Sequence, residues 1–84
     1  MKTNTIKEII KKSIKDAYVE VIDLNNSGDH FSLLVVTNQF DALNLLNRHK
    51  IIYNLFDNYI TKEIHALQLK TLTYKEYNNE KLEP

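Results

Sequence analysis

The sequence predicts an α+β domain in which a three-stranded sheet has helices packed on one face, with the element order α-β-β-α-β-α. Apolar residues follow a helical period in some segments and a strand pattern in others, and the two kinds of segment are interspersed. The chain has 84 residues, of which 43% are hydrophobic, and this suits one domain with one core. We assign residues 1–77 to this domain and residues 78–84 to a polar C-terminal tail.

The first helix is predicted over residues 5–17, where isoleucines recur every three or four positions. Thr5 and Glu8 have the spacing of a capping box, in which each side chain bonds to a free main-chain N–H group of the first turn. We therefore expect this helix to begin at Thr5.

Two strands follow and are expected to form a hairpin. Residues 18–24 are rich in β-branched side chains, and residues 31–37 are apolar on both faces, which favours an inner strand. Residues 25–30 read NNSGDH and contain the only glycine of the chain, which suits a turn. A connection this short predicts antiparallel pairing.

A long helix and a third strand are predicted in the second half of the chain. Residues 41–60 carry apolar side chains along one helical stripe, with Asn38 or Asp41 as the N-cap. Residues 64–73 have the composition of a strand.

A short final helix is predicted over residues 73–77. Thr73 and Glu76 repeat the capping-box spacing at its start. The residues that follow are polar, and we expect them to be frayed.

The composition excludes several classes of function. The chain has no cysteine, so it has no disulfide or thiolate of its own, which suits a reducing compartment and makes the cytoplasm the expected location. No apolar stretch approaches the ~20 residues of a membrane span, so no membrane partner is expected. Eleven basic residues balance eleven acidic ones, whereas nucleic-acid binders usually carry a basic excess.

Catalysis is not expected either. The chain lacks a nucleophile motif and a glycine-rich oxyanion loop. Asp29 and His30 are adjacent at a strand boundary, and because neighbours on a strand point to opposite faces, we do not expect them to pair. A binding protein is therefore predicted rather than an enzyme.

The three histidines are the candidate metal ligands of the chain. Each is either a hydrogen-bonded packing residue or a ligand, and position alone leaves both open. His49 falls on the apolar stripe of the long helix, which favours packing. His30 and His65 both lie at strand starts that can meet at one edge of the domain. Two imidazoles form an incomplete metal site, as an adaptor needs when its partner supplies the thiolates.

Three segments in order resemble the BolA family: VEVID…HF…VV at 19–36, LNRHKIIY at 46–53 and IHALQLKTLTYKEY at 64–77. The resemblance implies a fold related to the KH fold and a monothiol glutaredoxin as partner. It also implies a 2Fe–2S cluster shared by the pair, with thiolates from the glutaredoxin and glutathione and a histidine from this chain. That histidine is His65, in the HAL motif. The isolated protein is expected to hold no cluster and to be a monomer or weak homodimer.

The turn between the first two strands departs from the family pattern. The family often has a second cysteine or histidine ligand there, and Ser27 stands at the position of the cysteine. Serine is a poor iron ligand, so His30 becomes the second candidate ligand, conditional on where the turn places it.

DNA binding by a transcription regulator is the alternative hypothesis. Arg48 and Lys50 are expected on the exposed side of the long helix beside His49, and Lys70 could join them at phosphates. The same residues could instead meet acidic groups of glutathione or of a protein partner. The zero net charge and the absence of a KH-type GXXG loop speak against nucleic acid. A partner-binding module without a cluster is a third hypothesis.

Overall fold

The computed structural model describes residues 1–59, 64 and 66–82. Over these residues the chain forms three α-helices, one short 3₁₀ turn and three strands in the predicted order. The elements are α1 (Thr3–Ser13), β1 (Tyr18–Asp23), β2 (His30–Val36), the 3₁₀ turn (Asn38–Phe40), α2 (Leu45–Leu55), β3 (Ala66–Leu72) and α3 (Tyr74–Leu82). None of the described helices has the length and apolar content needed to span a bilayer.

The sheet has the strand order β1-β2-β3, so β2 is the inner strand, as its apolar pattern predicted. β1 and β2 pair antiparallel, which confirms the predicted hairpin. β2 and β3 pair parallel, with His30 opposite Ala66 at the start of both strands. A parallel pair requires a crossover connection, which α2 supplies.

The hydrophobic core lies between one face of this sheet and helices α1 and α2, as predicted. Alternate residues of β2 point into the core, and isoleucines of α1, Ile52 of α2 and Phe56, which directly follows α2, meet them. The fully buried residues of this core include Ile6, Ile10, Phe31, Leu33, Val35, Ile52 and Phe56. This core positions the strand starts at one edge of the domain.

Helix α3 lies against the opposite face of the sheet. Its Tyr77 ring is 5.6 Å from the Tyr18 ring, measured between centroids. Together with Lys70, α3 and the strand residues Leu34 and Leu72 line a shallow groove on this face. The sequence predicted helices on one face of the sheet; α1 and α2 lie on that face, and α3 contacts the other.

The predicted start of α1 was wrong. The helix begins at Thr3, and the N-cap residue Lys2 makes no side-chain capping bond. Thr5 consequently lies inside the helix, and the capping box with Glu8 does not form. The helix also ends earlier than predicted, because Ile14 already has an extended backbone.

The predicted start of α2 was also wrong. Ala42 adopts a left-handed backbone with φ of 63°, which interrupts any helix running from residue 41. The helix begins at Leu45, and the Asn44 side chain accepts a hydrogen bond of 2.9 Å from the N–H of Asn47. Neither predicted cap, Asn38 or Asp41, caps α2; Asn38 instead opens the 3₁₀ turn.

The capping box at α3 is confirmed in both directions. The Glu76 carboxylate accepts a 2.8 Å bond from the N–H of Thr73, and the Thr73 hydroxyl accepts a 3.2 Å bond from the N–H of Glu76. The helix continues to Leu82, so residues 78–82 are helical rather than frayed. Residues 83 and 84 lie outside the described residues.

Candidate functional site

The starts of β2 and β3 meet at one edge of the sheet. His30 pairs with Ala66 in the parallel register, and the N–H of Ala66 donates a 3.2 Å hydrogen bond to the carbonyl of Asp29. Ala66 directly follows His65 in the sequence. His65 itself lies outside the described residues, so its role as a ligand stays a prediction.

His30 and Asp29 form a side-chain pair at this edge. The His30 Nδ1 lies 2.7 Å from Oδ1 of Asp29, and the two side chains are 40% and 31% exposed. The hydroxyl of Ser27 donates to the same carboxylate oxygen. Our expectation that Asp29 and His30 would not pair was wrong, because Asp29 lies in the bend before β2, where strand alternation does not yet apply.

The turn before His30 is held by main-chain and carboxylate contacts. Gly28 has a φ of 75°, a conformation that favours glycine, and its N–H donates a 3.0 Å bond to the Asp23 carboxylate. The N–H of Leu24 donates a 2.8 Å bond to the carbonyl of His30. These contacts define the turn that leads directly into His30, the first residue of β2.

Arg48 points into the domain, so its predicted exposed placement was wrong. Its side chain is 12% exposed, and Nη1 lies 2.6 Å from Oε1 of Glu76. Nε donates a 2.9 Å bond to the carbonyl of Leu43, and Nη1 donates a 3.3 Å bond to that of Thr71. The guanidinium also lies 5.8 Å from the centroid of the Phe40 ring. Arg48 therefore joins α2 to β3 and α3.

Glu76 completes this contact and caps α3 at the same time. The hydrogen bond from Arg48, and then that from the Thr73 N–H, hold the pKa of the Glu76 carboxyl below its usual value. The carboxylate is 45% exposed. The capping-box spacing identified Glu76 as a helix-start residue, but nothing in the local sequence pointed to Arg48 as its partner.

The other predicted binding residues do not form one surface with Arg48. His49 is half-buried, in line with the predicted packing, and its Nε2 is buried with no hydrogen-bond partner among the described residues. Lys50 is exposed on α2. Lys70 lies in register with Leu34 on the sheet face that α3 contacts, with Nζ 2.6 Å from Oε1 of Glu80.

Residues 3–76 match the sequence model of the family described as "BolA-like protein". The chain belongs to the BolA family. It is 30% identical over 79 residues to "DNA-binding transcriptional regulator BolA" of Escherichia coli (strain K12), an alignment that covers 86% of this chain and 75% of the relative.

Solved structures of BolA proteins share the fold. A bolA protein homologue from Coxiella burnetii is 33% identical with a TM-score of 0.73, and the match covers 93% of this chain and 97% of that one. The BolA domain of SufE1 from Arabidopsis thaliana is 26% identical with a TM-score of 0.80, covering 90% and 98% of the two chains. The predicted α+β fold is thereby confirmed.

The described part of this BolA family chain does not contain a complete metal site. Within the described part of the chain, no group of three or more histidine, aspartate or glutamate side chains is arranged to hold a metal ion. His30 offers one accessible imidazole, and the chain has no cysteine. A complete iron site would therefore need thiolates from another molecule.

Proposed function

We propose that this BolA family protein is an adaptor that binds a monothiol glutaredoxin and shares a 2Fe–2S cluster with it for cluster trafficking or for iron and redox regulation. His65 is the proposed ligand, and His30 the second candidate. The glutaredoxin and glutathione supply the thiolates. The absence of cysteine suits a reducing compartment, for which we propose the cytoplasm.

The observation that carries this proposal is the parallel register of β2 and β3. It brings His30 beside Ala66, the residue that follows His65 in the sequence. The His30 imidazole is 40% exposed, so a partner can approach it without unfolding the domain. The parallel register thus places an exposed imidazole at the edge where β3 begins, as a site shared with a partner requires.

On this proposal, the protein contributes imidazole ligands to the shared cluster and orients them. Histidine in place of thiolate reduces the negative charge on such a cluster and raises its reduction potential, as Rieske centres show. An imidazole ligand can also be lost by protonation at about pH 6 to 7. These properties suit an adaptor that passes on or senses its cargo.

The test is to add the protein to a cluster-loaded monothiol glutaredoxin and record visible circular dichroism. Wild type should change the spectrum, and His65→Ala should abolish the change while far-UV circular dichroism stays unaltered. His30→Ala should weaken the change if His30 is the second ligand. His49→Leu is the matched control, since its Nε2 is buried, and it should behave as wild type.

An unchanged spectrum with wild type would overturn the shared-cluster proposal. Capture of the glutaredoxin by immobilised protein, followed by iron analysis, then separates the remaining cases. Glutaredoxin retained without iron would indicate a partner-binding module that carries no cluster.

DNA binding is the second candidate function, because a 30% identical relative is named a DNA-binding transcriptional regulator. On this hypothesis Lys50 and the other exposed basic residues would contact phosphates. Arg48 should contribute little to DNA affinity, since its guanidinium is already bonded to Glu76 and to main-chain carbonyls.

Titration of duplex DNA at several salt concentrations tests this candidate. If Lys50 neutralises a phosphate, Lys50→Gln should reduce the slope of log affinity against log salt by about 0.9. The absence of binding at low salt would dispose of the DNA hypothesis.

A further inference from the structure

We propose that the C-terminal half of α1 is a binding surface for the phosphate backbone of DNA. The surface consists of Lys7, Lys11, Lys12 and Lys15, which we call the α1 lysine patch. This inference does not depend on the shared-cluster proposal. It rests on the DNA-binding candidate and deepens it, because it assigns the contact to α1 rather than to the segment around Arg48.

The charges of the chain sum to zero but are unevenly distributed. Residues 2–15 contain five lysines and one acidic residue, Glu8. Of the eleven basic and eleven acidic residues of the chain, this leaves six basic and ten acidic residues for the rest. The zero net charge therefore conceals a basic segment, and a basic patch on one face is the electrostatic feature of a surface that binds nucleic acid.

The charges of the α1 lysine patch are not neutralised within the domain. Lys7 is half-buried, and the other three side chains are exposed. Among the described residues, none of the four takes part in an ion pair or a side-chain hydrogen bond. Arg48 and Lys70, in contrast, each lie 2.6 Å from a carboxylate oxygen of α3. The cations available to phosphates are therefore on α1.

The α1 lysine patch is electrostatically unfavourable for the isolated domain. Lys7 and Lys11 are four positions apart on α1, and like charges at this spacing repel each other. Lys11 and Lys12 lie in the last turn, where positive charge stabilises a helix. That effect does not account for Lys7 one turn earlier or for Lys15 beyond the helix end. A polyanion bound along the helix would relieve the repulsion.

The surroundings of the patch suit a polyanion rather than a membrane or an apolar protein surface. Ile6 and Ile10 are fully buried in the core, so they are not available for insertion into a bilayer. None of the large hydrophobic side chains that are exposed in the described part of the chain lies on α1. Protein interfaces are usually anchored by such side chains, whereas a phosphate backbone is bound mainly through cations.

The test measures the affinity of the protein for a random-sequence duplex DNA at several salt concentrations. Wild type is compared with the triple variant Lys11→Gln/Lys12→Gln/Lys15→Gln; Lys7 is retained because its side chain is half-buried. If each lysine neutralises one phosphate, the triple variant should lower the slope of log affinity against log salt by about 2.7, and each single variant by about 0.9.

The matched control is Lys70→Gln/Lys75→Gln/Lys81→Gln, which removes the same charge from exposed residues of β3 and α3. It should leave the slope close to that of wild type. Urea unfolding followed by far-UV circular dichroism checks the fold of each variant. Since the α1 substitutions remove repulsion, they should not lower stability, and the single variants test the surface even if the triple variant unfolds.

The outcomes separate the surface from the DNA-binding candidate itself. Wild-type binding that the α1 variants leave unchanged, or that the control weakens equally, would overturn the role of α1 and leave the candidate standing. The absence of wild-type binding at low salt would overturn both. Tighter binding to poly-glutamate or to vesicles of anionic lipid than to duplex DNA would overturn the assignment of the patch to a phosphate backbone of DNA.

Discussion

Replacing Arg48 with methionine should destabilise the domain far more than breaking a surface ion pair. Methionine keeps an unbranched apolar stem and removes the guanidinium. The variant loses the bonds to Glu76 at 2.6 and 3.4 Å and those to the carbonyls of Leu43 and Thr71 at 2.9 and 3.3 Å. All three acceptors remain in place without their donor.

The magnitude follows from burial and from the number of acceptors left behind. The Arg48 side chain is 12% exposed, whereas Glu76 is 45% exposed, so water can rehydrate the carboxylate and the ion pair is partly screened. We therefore assign about 1 kcal/mol to the pair, and about 0.5–1.5 kcal/mol to each carbonyl bond. The expected loss is about 2–4 kcal/mol, out of the roughly 5–10 kcal/mol that stabilise a domain of this size.

Urea unfolding followed by far-UV circular dichroism measures this loss. Lys70→Met is the matched control, because Lys70 and Glu80 are also 2.6 Å apart but their side chains are 60% and 45% exposed. It should cost less than about 1 kcal/mol. If Arg48→Met costs no more than Lys70→Met, the inward contacts of Arg48 do not stabilise the fold, and our reasoning is wrong.

Three further predictions concern stability. The pKa of Glu76 is lowered in the folded state, so its contribution to the free energy of unfolding is present above its unfolded pKa and is lost as the pH falls through the folded pKa. Glu76→Gln should therefore flatten the acid limb of a curve of stability against pH, and an unchanged limb would refute this. His49→Leu removes a buried nitrogen that has no partner, so it should leave stability equal or increase it by up to about 1 kcal/mol in urea unfolding, and a clear loss would contradict the structure at this residue. Ala42 is exposed with φ of 63°, so Ala42→Gly should stabilise the domain by about 0.5–1 kcal/mol and raise its thermal midpoint. A lower midpoint would show that the left-handed backbone at this residue is not strained.

The sequence predicted the order of elements because periodicity depends only on near neighbours. The hairpin, the inner position of β2 and the capping box at Thr73 and Glu76 all follow from residues close in the chain. The same capping spacing at Thr5 and Glu8 failed, since α1 begins at Thr3. Spacing alone does not determine which turn of a helix is the first.

Contacts between distant residues could not be predicted in this way. Arg48 and Glu76 are separated by 28 positions, and an arginine on a helix can point to solvent or to the core with the same local pattern. The Asp29–His30 pair depends on whether β2 begins before or after Asp29, a difference of one residue. The ligand role of His65 was predicted from the family resemblance and stays a prediction, whereas family membership is shown over residues 3–76.

Visible circular dichroism of a cluster-loaded monothiol glutaredoxin, titrated with this protein, tests the proposed function most directly. Wild type should produce a new spectrum that saturates as the shared cluster forms, and His65→Ala, folded as judged by far-UV circular dichroism, should produce none. A wild-type titration that leaves the glutaredoxin spectrum unchanged, or a full response from His65→Ala, would contradict the account.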